Sequence, residues 1–320
     1  MQKLSSFILM VLLCNTLYSQ NDTVKTKQEV VIYSFFYNIV PDGFKFPLIG
    51  FVNLARGNHR ELELGFVNTT LKNFSGAQVG FVNSTLKEQN GFQMGFVNTT
   101  LKNLNGFQMG FVNTTLEEMN GFQIGFVNTS REEANGFQLG FVNTAAKGIK
   151  GYQIGFVNYA DTIRGIPIGL VSIVKKGGYR AVEISVNEFY PVNLSFKIGV
   201  PKLYTFFQGG YNPDFDNHFA LGLGIGSLWA IGKSLYFNPE ASFSDNNLYK
   251  NTRQQFTSLV GNFRYQIGTH LRIAVGPSVV WQQSDNKGDL YDPIYRIVNY
   301  KIDDKNRLLV GARAALGVDF

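Results

Sequence analysis

Three histidines and a scatter of serines are the residues of this 320-residue chain that could support acid–base or nucleophilic chemistry. None of His59, His218 and His270 has a second ligand at the spacing that zinc sites use. His218 or His270 could in principle act as the base for a serine that lies nearby in space. Ser195 and Ser278 are candidates for that serine, but no Gly-x-Ser-x-Gly turn is present. We therefore expect no catalytic residue, no metal site and no cofactor.

A phrase that recurs every 15 residues is the strongest signal in the sequence, and it argues against catalysis. One copy, from Gly91 to Asn98, reads Gly-Phe-Gln-Met-Gly-Phe-Val-Asn. The second glycine recurs as Gly50, Gly65, Gly80, Gly95, Gly110, Gly125, Gly140 and Gly155, and the asparagine as Asn53, Asn68, Asn83, Asn98, Asn113, Asn128, Asn143 and Asn158. A catalytic site needs different side chains at one point, whereas a repeat supplies identical ones at intervals. The period therefore predicts a stack or a meander of identical units, with these residues as its structural ladder.

Residue types alternate within each copy as they do in a β-strand. Phe92, Met94 and Phe96 share one face, and Gln93 and Gly95 share the other. In a β-solenoid each unit is one coil, and identical side chains stack at about 4.8 Å. In an antiparallel meander each unit is one strand that could enlarge a barrel. Because consecutive loops resemble one another, we favour the solenoid, with a Phe ladder inside and an Asn ladder at a corner.

A second kind of β-structure is predicted after residue 178, where apolar residues alternate with small or polar ones. The eight candidate strands contain residues 182–187, 192–200, 203–211, 219–226, 235–243, 256–267, 272–282 and 307–320. Strands of about ten residues, apolar on the outside and small or polar on the inside, are typical of a transmembrane β-barrel. At the end of the last strand, Leu316, Val318 and Phe320 form an apolar row that resembles the insertion signal of outer-membrane barrels.

Residues 1–20 have the composition of an export signal. Lys3 precedes the apolar run from Phe7 to Cys14, which is too short to cross a bilayer, and cleavage is expected near Ser19 or Gln20. Cys14 is the single cysteine, so the mature chain would contain no disulfide and no thiolate nucleophile. We expect an exported protein of the outer membrane or cell surface.

The positive charge of the chain is spread along it. The 29 lysines and arginines form no cluster, and the net charge is +6. This distribution does not indicate nucleic acid as a partner. The expected partner is outer-membrane lipid, and the repeated Thr pairs could add a surface glycan or a protein ligand.

The repeated phrase resembles the surface-repeat proteins of spirochaetes and Bacteroidetes, whose units have the form Gly-x-Gln-x-Gly-x-x-Asn. The resemblance covers about residues 48 to 174, and it implies a cell-surface location but no particular reaction. The part after residue 178 is more loosely similar to small outer-membrane barrels.

These observations predict an all-β chain in four segments: a signal peptide (1–20), a linker and N-terminal capping strand (21–47), a repeat array (48–177) and an outer-membrane-type barrel (178–320). The capping strand is expected within the apolar run from Val30 to Tyr37. The predicted function is a non-enzymatic surface protein with a structural, display or adhesion role. A porin-like conduit, whose repeats supply barrel strands, and a lipid-modifying barrel enzyme are the alternatives.

Overall fold

The computed structural model describes residues 31–215, 218–246, 253–286 and 289–320. These residues form two β-units, one parallel and one antiparallel. The predicted signal peptide and residues 21–30 of the predicted linker and capping segment lie outside the described residues.

The first unit is a stack of short parallel strands. Its strands are β1 (Tyr37–Val40), β2 (Leu48–Ile49), β3 (Val52–Ala55), β4 (Leu62–Leu64), β5 (Val67–Thr70), β6 (Phe74–Val79), β7 (Val82–Thr85), β8 (Gln89–Met94), β9 (Val97–Thr100), β10 (Leu104–Thr115), β11 (Met119–Ser130), β12 (Glu133–Leu139), β13 (Val142–Ala145), β14 (Gly148–Ile154), β15 (Val157–Thr162), β16 (Ile166–Ile168) and β17 (Val171–Lys176).

Each repeat forms one coil that pairs with the equivalent residues of the next coil. Gly106 pairs with Gly121, and Asn113 pairs with Asn128, both in parallel register. The same pairing continues through nine coils from β2 to β17, so the solenoid prediction is confirmed and the meander alternative is wrong. The last step is one residue shorter, because Tyr152 pairs with Ile166.

The N-terminal cap differs from the prediction. The strand β1 begins at Tyr37, the last residue of the predicted apolar run, and Tyr37 pairs with Val52. The residues just before it form an isolated bridge between Ile32 and Ile39, and the carbonyls of Phe35 and Phe36 accept hydrogen bonds from the first coil at 3.0 Å. Phe35 and Phe36 are about three-quarters exposed, at 74% and 75%. Of the described residues of this run, only Tyr37 belongs to a named strand, and Phe35 and Phe36 are not part of the core.

The repeat phenylalanines lie outside the solenoid, which corrects the predicted Phe ladder inside. The interior is lined mainly by polar residues, together with a buried apolar cluster of Leu104, Met119, Ala134, Ala145, Ile149 and Ala160. Phe111 is 45% exposed, and its ring stacks on Phe96 and Phe126 outside the coil at centroid distances of 4.9 Å. Asn113 and Gln108 are fully buried instead. The predicted alternation is present, but the apolar face points outward.

Two amide ladders hold this polar interior together. Asn113 Nδ2 donates to Asn128 Oδ1 at 2.8 Å and to the Ile124 carbonyl at 2.8 Å. The same pattern joins the repeat asparagines from Asn53 to Asn158. The glutamines form a second ladder, in which Gln108 donates to the carboxamide oxygen of Gln93 at 2.7 Å. Asn and Gln suit this interior because each carries both donors and acceptors for the next coil.

Glycine is required where adjacent coils approach most closely. A Cβ on Gly110 would lie 2.0 Å from the Gly95 carbonyl oxygen and 2.6 Å from Asn98 Nδ2. Gly106, within β10, has φ +144°, a conformation that other residues rarely adopt.

We expect Gly110→Ala to lower the free energy of unfolding of the solenoid by about 2–3 kcal/mol, because the coils must separate to admit the methyl group. Gly232→Ala is the control, since its Cβ would lie 4.0 Å from the nearest atom. Urea unfolding followed by circular dichroism measures both. Equal stability of the two variants would contradict close packing at Gly110.

The second unit is an antiparallel barrel. Its strands are β18 (Tyr179–Val186), β19 (Val192–Val200), β20 (Leu203–Tyr211), β21 (Phe219–Gly226), β22 (Trp229–Ala230), β23 (Leu235–Asp245), β24 (Gln254–Ile267), β25 (Leu271–Ser284), β26 (Val298–Lys301) and β27 (Asn306–Asp319).

Eight of these strands close the barrel, as predicted, through pairing of β18 with β27. The short strand β22 extends a hairpin beside β23, and β26 pairs with the first half of β27. The turns at one end are short and contain residues 201–202, 231–234 and 268–270. The connections at the other end contain residues 187–191, 212–218, 246–253 and 285–305. The solenoid joins the barrel at the short-turn end, because β17 leads into β18 through Gly177 and Gly178.

Candidate functional site

The structure does not bring together the histidine and serine candidates. Ser195 and Ser278 point into the barrel interior, where Ser278 donates to the Glu188 carboxylate. His270 lies in the turn 268–270 at the other end, with Nδ1 2.9 Å from the Asp319 carbonyl oxygen. His218 is exposed in the connection 212–218, beside the ring of Tyr211.

His59 is buried at the N-terminal end of the Gln ladder. Its Nδ1 lies 3.0 Å from Glu63 Oε1, and its Nε2 lies 3.1 Å from the Phe46 carbonyl oxygen. Glu63 also accepts hydrogen bonds from Thr70 and Gln78, so it ends the Gln ladder with a negative charge. Burial alone would lower the pKa of His59, but the hydrogen bond to Glu63 and its charge raise that pKa above the ordinary value.

The His59–Glu63 pair makes the stability of the first coils depend on pH. A raised folded-state pKa contributes stability that is complete below the unfolded pKa of about 6.5 and is lost as pH rises through the folded pKa. We expect the unfolding temperature of the solenoid to fall as pH rises over a range that starts at about pH 6.5, and we expect His59→Gln to remove this fall. Thermal unfolding measured across this range is the test. If the unfolding temperature of His59→Gln changes with pH as much as that of the unmodified chain, other groups cause the pH dependence.

The middle of the barrel is filled by a network of buried charges. Glu183 contacts Lys197 at 2.9 Å, Arg272 at 2.9 Å and Arg313 at 2.5 Å. Glu240 contacts Arg313 at 2.5 Å and is also paired with Lys197. All five side chains are at most 7% exposed. Pairing across the interior satisfies charges that would otherwise be costly to bury.

A second layer of charge closes the short-turn end of the interior. Arg264 and Arg272 both pair with Asp319, and both donate to the Tyr179 hydroxyl, at 3.1 and 2.6 Å. The two layers share Arg272. Charged side chains therefore occupy the axis of the barrel from its middle to its short-turn end.

An apolar cluster covers the interior toward the long connections. It consists of Phe189, Tyr190, Phe215, Ala220, Phe256, Val280 and Leu309. A cavity of about 30 Å³ lies between this cluster and the charged layers, with Glu188 and Arg313 in its wall. This volume has room for about one water molecule.

The outer surface of the barrel is apolar. The outward residues at least 38% exposed include Ile184, Leu194, Phe196, Phe207, Leu221, Leu223, Ile225, Leu259, Phe263, Tyr265, Ile273, Val275, Val279, Trp281, Leu316 and Val318. We call this surface the barrel belt. Such an extensive apolar surface marks contact with lipid or another apolar partner. The candidate insertion residues Leu316 and Val318 belong to it, and Phe320 is 71% exposed just beyond β27.

The alternation of residues predicts the belt and the polar lining, but not which inward charges meet. Glu183, Lys197 and Glu240 each stand at a polar position of a candidate strand. Charged residues at three inward-facing positions could have indicated from the sequence that the barrel interior contains ion pairs. Their pairing depends on strand register, which brings together residues far apart in the chain.

The repeat glycines and asparagines lie together along the solenoid. The asparagines from Asn53 to Asn158 are at most 1% exposed, so their side chains are closed to solvent in the folded coil. Each glycine lies beside the carboxamide of an Asn, as Gly110 does beside Asn98.

Among the described residues, no group of three or more His, Cys, Asp and Glu side chains is placed to hold a metal ion. The described parts of the chain also contain no helix with the length and apolar character needed to span a bilayer. Comparison with known proteins found no matching family model, no matching curated protein and no matching solved structure.

Proposed function

We propose that the chain is a non-enzymatic outer-membrane protein whose barrel anchors the solenoid in the envelope. The observation that carries this proposal is the barrel belt, which surrounds an interior filled with paired charges. An apolar outside and a polar inside invert the arrangement of a water-soluble barrel and match the requirements of a bilayer.

The positions of the turns support one orientation in that membrane. In outer-membrane barrels the short turns face the periplasm and the longer loops face outward. Because the solenoid joins at the short-turn end, it would lie on the periplasmic side. This placement favours an envelope-structural role for the solenoid over display or adhesion, and leaves the long connections as the surface-exposed part.

The filled interior also argues against the conduit alternative. The repeats contribute no barrel strands, and eight strands enclose a space that side chains can fill. Lys197, Arg313 and Arg272 occupy that space together with their carboxylate partners. We expect the purified protein to give no steady ion conductance in a planar bilayer.

The orientation can be tested with single cysteines, because Cys14 is the only cysteine in the sequence. Lys102→Cys places a thiol on the solenoid, and Arg296→Cys places one on the longest connection. We expect a membrane-impermeant maleimide to label Arg296→Cys on intact cells, and Lys102→Cys only after the outer membrane is opened. Labelling of Lys102→Cys on intact cells would overturn the orientation. Recovery of both variants in a soluble fraction would overturn the membrane barrel itself.

A further inference from the structure

The solenoid has an apolar ridge along one edge, made of three parallel rows. The first row is Ile49, Leu64, Val79, Met94, Met109, Ile124, Leu139, Ile154 and Ile168. The second row is Phe51, Phe66, Phe81, Phe96, Phe111, Phe126, Phe141, Phe156 and Leu170. The third row is the valine after each member of the second row, from Val52 to Val171. No polar or charged residue interrupts any row, and we call these three rows the apolar ridge.

The ridge faces away from the interior. The eight phenylalanines of the second row are 44–58% exposed, and Met94 of the first row is 39% exposed. If a fully exposed Phe presents about 200 Å², the phenylalanines alone leave roughly 700 Å² uncovered. The largest apolar patch on a typical soluble monomer is only about 300–600 Å² in total. The ridge is therefore larger than the apolar patches that are usual on soluble monomers, which is typical of an interaction surface.

The opposite edge of the solenoid is charged. Lys147 lies 2.5 Å from Glu132, and Lys102 lies 3.9 Å from Glu117, so ion pairs connect successive coils there. Asn105 of that edge donates to Asn90 at 3.0 Å in an exposed outer ladder. The cross-section is thus amphipathic, with one apolar edge and one hydrated edge.

The ridge begins at the outer wall of the barrel. The Leu170 carbonyl, in the last coil, accepts a 2.8 Å hydrogen bond from Thr205 Oγ1, which is on the outward row of β20. The strands β16 and β17 both contact β19 and β20. Ile198 and Val200, on the outward row of β19, are only 7% and 4% exposed. The last coil therefore covers the side wall of the barrel near the short-turn end, and the ridge meets the barrel belt there.

We propose that the apolar ridge lies against the lipid of the same membrane leaflet that surrounds the short-turn end of the barrel. This inference rests on the proposed membrane location of the barrel. The ridge continues the belt outward from the wall for eight steps of about 4.8 Å, or about 38 Å. Its amphipathic section is the β-counterpart of an interfacial helix, whose apolar face enters the boundary of the acyl chains while its charged face stays in water.

Lipid fits the ridge better than a second copy of the chain does, because the ridge meets the barrel belt at the last coil. A surface that begins on the belt of a membrane-embedded barrel starts at the lipid boundary. Its uniform composition of Phe, Val and other aliphatic residues, with no polar positions to set a register, suits a fluid partner.

Depth-dependent fluorescence quenching tests this placement on the full chain reconstituted in phosphatidylethanolamine–phosphatidylglycerol vesicles. Single cysteines replace Phe111 on the ridge, Glu118 on the charged edge and Leu223 on the barrel belt, and each carries an environment-sensitive probe. Met109→Cys is a second ridge position in case Phe111→Cys disturbs the stacked rings. We expect the ridge probes to be quenched by lipid-borne nitroxides, and to be several-fold less quenched by aqueous iodide than the probe at Glu118.

The three positions separate the possible failures. If the probe at Leu223 contacts lipid while both ridge probes are quenched by iodide like the probe at Glu118, the ridge proposal is wrong and the barrel proposal stands. If the probe at Leu223 is also in water, the membrane location fails. Ridge probes shielded from both quenchers, in a way that depends on protein density in the vesicle, would overturn the proposal in favour of self-association.

Discussion

Asn113→Asp is expected to lower the free energy of unfolding of the solenoid by about 3–5 kcal/mol, although aspartate has nearly the same shape. Asn113 Nδ2 donates to Asn128 and to the Ile124 carbonyl, and its Oδ1 accepts from Asn98. A carboxylate retains only the accepting role. The Ile124 carbonyl and Asn128 Oδ1 would lose the donor on residue 113, and a negative charge would be buried without an opposite charge beside it.

Asn105→Asp is the matched control for this prediction. Asn105 also belongs to an inter-coil ladder, donating to Asn90 at 3.0 Å and accepting from Asn120 at 3.1 Å, but it is exposed. Water replaces the lost contact there, so we expect a change of about 0.5 kcal/mol or less. Hydrogen exchange across β10 and β11, with thermal unfolding by circular dichroism, measures both variants. Equal loss in the two variants would show that burial of the Asn ladder does not carry its stability.

Glu183→Gln is expected to destabilise the barrel by about 3–5 kcal/mol, because it leaves buried cations without their shared anion. Glu183 contacts Lys197, Arg272 and Arg313, all within 2.9 Å. Of the described interior cations, Arg313 and Lys197 would keep Glu240, and Arg272 would keep Asp319. The glutamine amide has nearly the volume of the glutamate side chain but no charge. The loss of barrel stability therefore measures the electrostatic contribution of Glu183.

The comparison for this variant is an ion pair at the surface. Arg253 lies 2.6 Å from Asp245 and is 39% exposed, so Arg253→Ala is expected to cost less than about 1 kcal/mol. Both variants are measured by heating samples to increasing temperatures before a detergent gel. The readout is the temperature at which the folded barrel loses its distinct mobility. If Glu183→Gln unfolds no earlier than Arg253→Ala, the network contributes little to barrel stability.

The 15-residue period predicts a stack or a meander of identical units, and the likeness of consecutive loops favours the parallel stack that the structure shows. Once Gly110 pairs with Gly125, every residue of a coil meets its counterpart, and only side chains that tolerate a copy of themselves at about 4.8 Å can occupy the interior. The alternation after residue 178 likewise predicts the number of barrel strands and their two faces. These features are readable because they depend on local repetition and strand parity.

Only the tertiary structure decided which face of each coil is the inside. Parity places Phe92 and Met94 opposite Gln93 but cannot say which set is buried. The coil turns so that Asn and Gln satisfy one another and the backbone carbonyls at its corner, as Asn113 does for Ile124. Phe has no such bonds to make, and it stacks outside. The usual assumption that the most apolar face is buried therefore failed for the repeat phenylalanines, although Leu104, Met119 and Ile149 do form an apolar cluster inside the coils.

The sequence by itself thus determined a 15-residue repeat, for which a stack was favoured over a meander, a barrel of eight strands and the residues that share each face. The tertiary structure decided the polar interior of the solenoid, the partners of Glu183 and Glu240, and the contact of Leu170 with Thr205 that joins the ridge to the barrel wall. The physical reason is how far apart along the chain the interacting groups lie. Period and parity are set by neighbours along the chain, whereas the choice of buried face and the pairing of charges depend on groups that only folding brings together.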